Sequence, residues 1–229
     1  MWRNMPSNDI KTQGIMLRRT NYGEADRILN IITPEGKLAV MAKGVRKPRS
    51  RLAGGVEMFT LADLQIHMGR SELGILTSAK MVRHYGEIIK DYERMQFAGL
   101  VLKKINLVSE AVKSREFFDI TLAVLESLDD GTNIALVEAW FLLNLVRASG
   151  EEVNLYRDAS GEKLMVDSRY DWDGAEEVFV VRENGEYGAD EIKLMRLMVK
   201  TGIKTIKRVK VTPEILGKVL KIAKMKAKI

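Results

Sequence analysis

Apolar residues in the first third of the chain alternate with polar ones, in short runs that end at turn-forming residues. The clearest run is residues 37–43, in which Leu38, Val40 and Ala42 fall on one face of a strand. We predict five strands, which contain Ile15 and Leu17, residues 27–32, residues 37–43, residues 59–68 with a bulge near Asp63, and residues 73–82. Five short strands joined by glycine-rich turns are typical of a small closed barrel.

From residue 85 to residue 149 the apolar residues recur at every third or fourth position, which predicts three helices. The predicted buried face of the first helix contains Tyr85, Ile88, Tyr92, Met95, Gly99 and Leu102. A second helix, capped by Ser114, is expected to bury Phe117, Phe118, Val124, Leu125 and Leu128. A third helix, ended by Gly150, carries Leu136, Val137, Trp140, Phe141 and Leu143.

Residues 151–188 are acidic and rich in turns, with two short strands predicted at 163–166 and 178–182 and a hairpin closed around Asn184-Gly185. Residues 189–229 return to a helical pattern, and Ile192, Met195, Leu197 and Met198 are expected to pack together. The sequence thus predicts an α+β chain: a five-stranded barrel over residues 1–84, then a helical domain over residues 85–229 that carries a small β/turn module at residues 150–188.

Composition and hydropathy exclude several classes of protein. The chain has no cysteine, so disulfides, thiolate catalysis and cysteine-based zinc sites are excluded. The first residues lack the apolar stretch of a signal peptide, and the most apolar segment, residues 134–146, is too short to cross a membrane. We therefore expect a soluble, cytoplasmic protein with no membrane contact.

Positive charge is concentrated at one place in the predicted barrel. The net charge is +6, and residues 43–51 contain five cations and no acid; Lys37 on the preceding strand adds a sixth. The predicted nucleic-acid-binding cations are Lys37, Lys43, Arg46, Lys47, Arg49 and Arg51, with Arg18 and Arg19 as weaker candidates. Dense cations on a projecting loop favour a phosphate backbone, although a solvated loop that only aids solubility is the alternative. Tyr22 lies near the same surface or in the barrel core.

The basic C-terminal end, from Lys200 to Lys228, is less specific, because a lysine-rich helix is equally often a solvated face.

Catalytic constellations are missing from the sequence. Neither of the two histidines, His67 and His84, has the spacing of a metal ligand, and no glycine-rich loop has the spacing of a phosphate-binding loop. The carboxylates of residues 151–191 are evenly spread. We therefore expect no metal, no cofactor and no enzymatic activity.

Four segments together resemble the N-terminal part of the bacterial recombination mediator RecO: residues 14–29, 33–37, 42–48 and 50–57. Residues 179–195 are similar to the family's return from a small inserted module into its last helices. The resemblance implies an N-terminal OB-fold barrel and a helical C-terminal domain. It also implies a DNA-repair protein at the nucleoid that binds single- and double-stranded DNA and anneals complementary strands. With RecR, such proteins help to load the RecA recombinase onto DNA coated by single-strand-binding protein (SSB).

The resemblance also raises two questions about sites. Many family members hold zinc with four cysteines in the inserted module, but here Tyr156, Arg157, Ser160 and Gly161 occupy the region of the first pair. Zinc is therefore not expected. RecO proteins recognise the acidic tail of SSB, and the candidate cations near apolar helix faces are Lys103, Lys104, Lys113 and Arg115. Because OB folds also bind RNA, an RNA-binding module is the alternative function.

Overall fold

The structure, a computed structural model, describes residues 9–69, 72–112 and 114–228. Its first five strands are β1 (Asp9–Tyr22), β2 (Asp26–Thr33), β3 (Gly36–Ala42), β4 (Thr60–His67) and β5 (Gly74–His84). They form a closed barrel in the order β1-β2-β3-β5-β4, with a parallel contact between β3 and β5 and antiparallel pairing elsewhere. The predicted five-stranded barrel is confirmed.

The barrel interior is filled by one side-chain phase of each strand. Val40 and Ala42 are fully buried, as the alternation of β3 predicts. Gly14 leaves room for this core, since a Cβ atom there would lie 2.6 Å from side-chain atoms of Ile31 and Leu64. The bulge predicted near Asp63 is wrong: Asp63 pairs in regular register with Gln13 and Lys80. The two register shifts between β4 and β5, at Leu61/Ala62 and at Gln65/Ile66, put their extra residues on β5.

Two helices, α1 (Tyr92–Ala111) and α2 (Arg115–Asp129), pack on the outside of β1, β2 and β3. Ile15 and Ile32 face each other across β1 and β2 in the phase opposite to the barrel core, and both are fully buried. This part of the outside of the barrel is therefore buried under α1 and α2. The buried residues predicted for α2 are confirmed, and the Ser114 hydroxyl accepts a hydrogen bond from the backbone N–H of Glu116.

The predicted buried face of the first helix is right in part: Tyr85, Ile88 and Leu102 are buried, but they do not form one face of one helix. Asp91 caps the N-terminus of α1 by accepting from Arg94, so Tyr85 and Ile88 precede the helix and do not share its phase. Tyr92 and Met95 are exposed. Within α1 the buried apolar residues are Leu102, as predicted, together with Phe97, Ala98, Val101 and Ile105.

The chain divides into two compact units, one ending at Asp129 and the other beginning at Asp130. A domain boundary near residue 84 stays a prediction. The second unit contains α3 (Ile134–Ala148), β6 (Tyr170–Asp173), β7 (Val178–Val181), α4 (Ala189–Lys200), α5 (Ile203–Ile206) and α6 (Pro213–Lys226). Helices α3, α4 and α6 pack on one another, so the predicted helical C-terminal architecture is confirmed.

One of the two strands predicted for the acidic module is confirmed, and the other strand and the hairpin turn are wrong. Strand β7 lies close to its predicted position, but residues 163–166 form no strand: Lys163 makes an isolated bridge with Arg157, and β7 pairs with β6. The β6–β7 hairpin closes through residues 174–177, where Glu177 has a φ of 54°, and not around Asn184-Gly185. Tyr170 and Trp172 alternate with two aspartates in β6. Because the segment is acidic, the sequence alone does not predict a strand from this alternation.

The module holds together without cysteines by aromatic packing and one carboxylate. Phe179 is fully buried and meets the rings of Tyr170, Trp172 and Tyr187 edge-to-face, at centroid distances of 6.1, 5.0 and 5.9 Å. In the region where the resemblance puts the first cysteine pair, Asp158 Oδ1 accepts hydrogen bonds from the backbone N–H groups of Ser160 and Glu162 and from the Ser160 hydroxyl.

Candidate nucleic-acid interface

The basic loop, residues 43–51, connects β3 toward β4 and carries its cations outward. The side chains of Lys43, Arg46, Lys47, Arg49 and Arg51 are all exposed. Among the residues that the structure describes, none of these five cations forms an ion pair with a carboxylate. Exposed cations without acidic partners keep their full charge available to an external anion.

The first half of the basic loop is fixed to the β1–β2 turn. The backbone N–H of Gly44 donates to Asp26 Oδ1 over 2.6 Å, and that of Arg46 donates to the carbonyl of Ala25 over 2.9 Å. Val45, between them, is buried in the barrel core. Gly44 has a φ of 63°, a left-handed conformation that glycine adopts without strain. The start of the loop is therefore an ordered part of the barrel.

The segment that directly follows the basic loop is fixed to β5. The backbone N–H of Ser50 donates to the carbonyl of Lys47, and a short 3-10 helix, Ala53–Val56, follows the loop. Val56 is fully buried, and a Cβ atom at Gly55 would lie 2.6 Å from the backbone of Ala79. The loop is thus anchored at both ends, which confines its cations and lowers the entropy lost when they bind a phosphate backbone.

The end of β1 belongs to the same surface. Arg18, Thr20 and Tyr22 occupy successive positions on one face of β1, and Tyr22 pairs directly with Asp26, the residue that holds Gly44. Arg18 is exposed. Tyr22 is 54% exposed, so its alternative placement in the barrel core is wrong.

Two predicted cations point elsewhere. Lys37 is only 10% exposed, because its Nζ donates to the carbonyl of Asn106 at 2.8 Å and to Glu110 Oε1 at 2.6 Å, both on α1. This hydrogen bond and the lysine charge hold the pKa of Glu110 below its ordinary value. Arg19 donates to Glu57 at 2.6 Å. Both cations serve contacts within the first unit, and we leave them out of the candidate interface.

The β2–β3 surface on which OB folds commonly bind oligonucleotides is partly covered in this protein. The side-chain amide of Asn30 on β2 donates to Asn106 Oδ1 over 3.0 Å, and Lys37 on β3 reaches the same turn of α1. A strand lying along the middle of this surface would collide with α1.

Comparison with known proteins agrees with this architecture at both ends of the chain. The model of the Recombination protein O N-terminal domain matches residues 5–85, and that of the C-terminal domain matches residues 90–225. The chain belongs to the Recombination protein O (RecO) family. The first family domain contains the whole basic loop and the β1–β2 turn.

Curated relatives carry the name DNA repair protein RecO. One from Roseiflexus sp. (strain RS-1) is 36% identical over 151 residues, covering 66% of this chain and 53% of the relative. One from Dehalococcoides mccartyi is 28% identical over 218 residues, covering 92% of this chain and 86% of the relative. One from Rubrobacter xylanophilus is 33% identical over 142 residues, covering 61% and 57%. The matches thus span little more than half the length of the Roseiflexus and Rubrobacter proteins.

The C-terminal lysines of this RecO family chain are largely engaged within the second unit. Lys221 pairs with Glu186 at 2.8 Å, Lys224 with Glu138 at 3.0 Å, and Lys226 with Glu177. The hydrogen bond from Lys226 outweighs the effect of burial and holds the pKa of Glu177 below its ordinary value. Such pairs neutralise much of the basic end locally, which weakens its attraction for a phosphate backbone.

The four cations predicted to bind the SSB tail are placed differently from one another. Lys103 is exposed on α1 and lies between exposed Leu100 and Leu107 on one side of the helix. Burial and the neighbouring charge of Lys103 lower the pKa of Lys104. Arg115 pairs with Asp119 at 3.4 Å, one turn along α2. Lys113 lies outside the described residues.

The described part of the chain offers few candidate residues for metal binding or catalysis. There, no group of three or more His, Asp or Glu side chains is arranged to hold a metal ion. His67 pairs with Asp9 at 2.7 Å, and His84 hydrogen-bonds Thr60 at 3.0 Å. No helix in the described ranges is long and apolar enough to cross a membrane.

Proposed function

We propose that this chain is a recombination mediator of DNA repair that binds single- and double-stranded DNA through the basic loop and the end of β1. The observation that carries the proposal is the set of five exposed, unpaired cations on a loop that is anchored at both ends. Arg18 on β1 extends this surface. The family membership favours DNA over RNA as the ligand and a role in recombination.

Binding of this kind acts without making or breaking bonds. Lysine and arginine that neutralise phosphates release condensed counterions, which drives association with any sequence. When two complementary strands are held by such a surface, the repulsion between their backbones falls and pairing becomes faster. We therefore propose strand annealing as the elementary activity, carried out at the nucleoid by positioning and charge neutralisation.

We propose the protein partners, RecR, RecA and SSB, from the family membership. The chain would act with RecR to help RecA replace SSB on single strands. For the acidic SSB tail, which ends in an apolar residue and a carboxylate, Lys103 between Leu100 and Leu107 combines a cation with apolar neighbours. Calorimetry with a tail peptide tests this: Lys103→Glu should abolish binding, and wild-type protein that binds no peptide would remove the tail from the proposal.

The proposed function is tested by annealing of complementary strands coated with SSB. Wild-type protein should accelerate annealing, and the variant with Arg46, Lys47, Arg49 and Arg51 all changed to alanine should lose most of that acceleration. A variant with Lys11 and Lys80 changed to alanine is the control, since both lysines are exposed on the barrel outside the proposed surface. No acceleration by wild-type protein would contradict the proposal, and tighter binding of matched RNA would favour an RNA-binding module.

A further inference from the structure

We infer that Tyr22 stacks on an unpaired base and so makes this surface prefer single strands over duplex. The inference rests on the proposed function, because it concerns the same surface. It adds a second kind of contact, since charge alone attracts single and double strands alike.

The position of Tyr22 next to the basic loop is fixed by backbone pairing. Tyr22 lies directly opposite Asp26 at the end of the β1–β2 ladder, and the Asp26 carboxylate holds the N–H of Gly44. Directly opposed side chains in an antiparallel pair have Cβ atoms about 4.5–5.5 Å apart. Tyr22 therefore lies next to the residue that anchors the start of the basic loop.

The ring of Tyr22 has no structural task that the described residues reveal. It is 54% exposed, and within the described ranges it forms no hydrogen bond, ring contact or cation–π contact. The other exposed tyrosines differ in this respect. Tyr92 accepts a hydrogen bond from Gln96, and the ring of Tyr156 lies under Arg196 and Lys200 at 5.1 and 5.4 Å. An unpartnered aromatic face beside a dense cationic loop is the arrangement that single-strand-binding surfaces use.

Stacking distinguishes single strands from duplex for a physical reason. Every unpaired base offers a π face, and loss of one aromatic platform commonly weakens single-strand binding by about tenfold. In a duplex the bases are already stacked on one another, so the ring gains little from them. The phosphates of both forms remain available to Lys43, Arg46 and their neighbours.

The test compares Tyr22→Leu, Tyr22→Phe and the control Tyr92→Leu in the full chain. The dissociation constant is measured by fluorescence anisotropy for three probes of equal length: an oligo-dT strand, an abasic strand and a duplex. Tyr22→Leu should weaken oligo-dT binding by about tenfold and leave abasic and duplex binding within about twofold. Tyr22→Phe and Tyr92→Leu should bind all three probes like the wild type.

Each outcome separates this inference from the proposed function. Equal weakening of oligo-dT and abasic binding by Tyr22→Leu, or no weakening of either, would overturn the stacking role, even if the basic loop still drives binding. Failure of the proposed function would appear elsewhere, as a loop variant that binds all three probes with wild-type affinity. Circular dichroism of Tyr22→Leu at the assay temperature ensures that a folded protein is compared.

Discussion

Asp26 Oδ1 accepts a hydrogen bond from the backbone N–H of Gly44, with 2.6 Å between the two atoms. This single contact ties the β1–β2 turn to the start of the basic loop, so an acidic side chain organises the most basic segment of the protein. Buried or half-buried carboxylates that receive backbone N–H groups often fix loops in this way. Loss of this contact should therefore disturb the basic loop, even though the mutation removes a negative charge.

Removal of Asp26 should weaken DNA binding, although it makes the surface more positive. Asp26→Ala frees Gly44, and the basic loop then has more conformations to lose when DNA binds. Glu24→Ala is the matched control, because Glu24 is exposed in the same turn and has no hydrogen bond to the loop. We expect Asp26→Ala to raise the dissociation constant for a single strand by about three- to tenfold, and Glu24→Ala to lower it slightly. Tighter binding by both variants would show that loop anchoring is unimportant.

The other end of the basic loop gives a second matched pair. Gly55→Ala should destabilise the barrel by about 1–3 kcal/mol, because its Cβ atom would lie 2.6 Å from the backbone of Ala79. Gly54→Ala should have almost no effect, since nothing lies within 4 Å of a Cβ atom there. Thermal unfolding followed by circular dichroism measures the difference. Equal melting temperatures for the two variants would contradict the close packing of this segment on β5.

Lys37 should matter for stability and not for DNA binding. Lys37→Met removes the hydrogen bond from Lys37 to the carbonyl of Asn106 and the charge that faces Glu110, so the melting temperature should fall. Affinity for a single strand should stay within about twofold of the wild type. A fall in affinity as large as that of a loop variant, with unchanged thermal stability, would show that Lys37 takes part in DNA binding.

Acid should loosen the acidic module through Asp158. Hydrogen bonds from Ser160, and from backbone N–H groups, hold the pKa of Asp158 below its ordinary value despite some burial. A carboxylate with a lowered pKa in the folded state contributes stability that is complete above about pH 4–5, and this stability is lost as the pH falls through the folded-state pKa. Asp158→Ala should therefore lower the melting temperature most at pH 7, and by progressively less as the pH falls toward 2. An equal effect at both pH values would assign the loss to packing alone.

Predictions from the sequence are correct for those strands and helices whose buried face follows from their own pattern of residues. Alternation and turns located all five barrel strands, and the absence of acids located the basic loop. The buried set of α2 followed from its own period. Each of these patterns is local, and local patterns survive folding when one face of an element is covered by a single core.

The errors at Lys37 and Arg19 involve partners that are distant in sequence. Lys37 looked like a surface cation because its partner Glu110 is 73 residues away. Arg19 is neutralised by Glu57, 38 residues away, for the same reason. The strand partner of β7 was missed because two aspartates interrupt the apolar character of β6. Only the folded arrangement separates the exposed cations from those that are already paired.

In the proposed function, the basic loop supplies the phosphate contacts. The direct measurement is the slope of log K against log salt concentration for an oligo-dT strand, in wild type and three variants. The fourfold alanine variant of Arg46, Lys47, Arg49 and Arg51 should reduce the slope by up to about 3, since each lost contact to a single strand contributes about 0.7. Arg46→Ala with Lys47→Ala should reduce it by about half as much, and Lys11→Ala with Lys80→Ala should leave it unchanged. A fourfold variant with the wild-type slope and affinity would contradict phosphate binding by the basic loop.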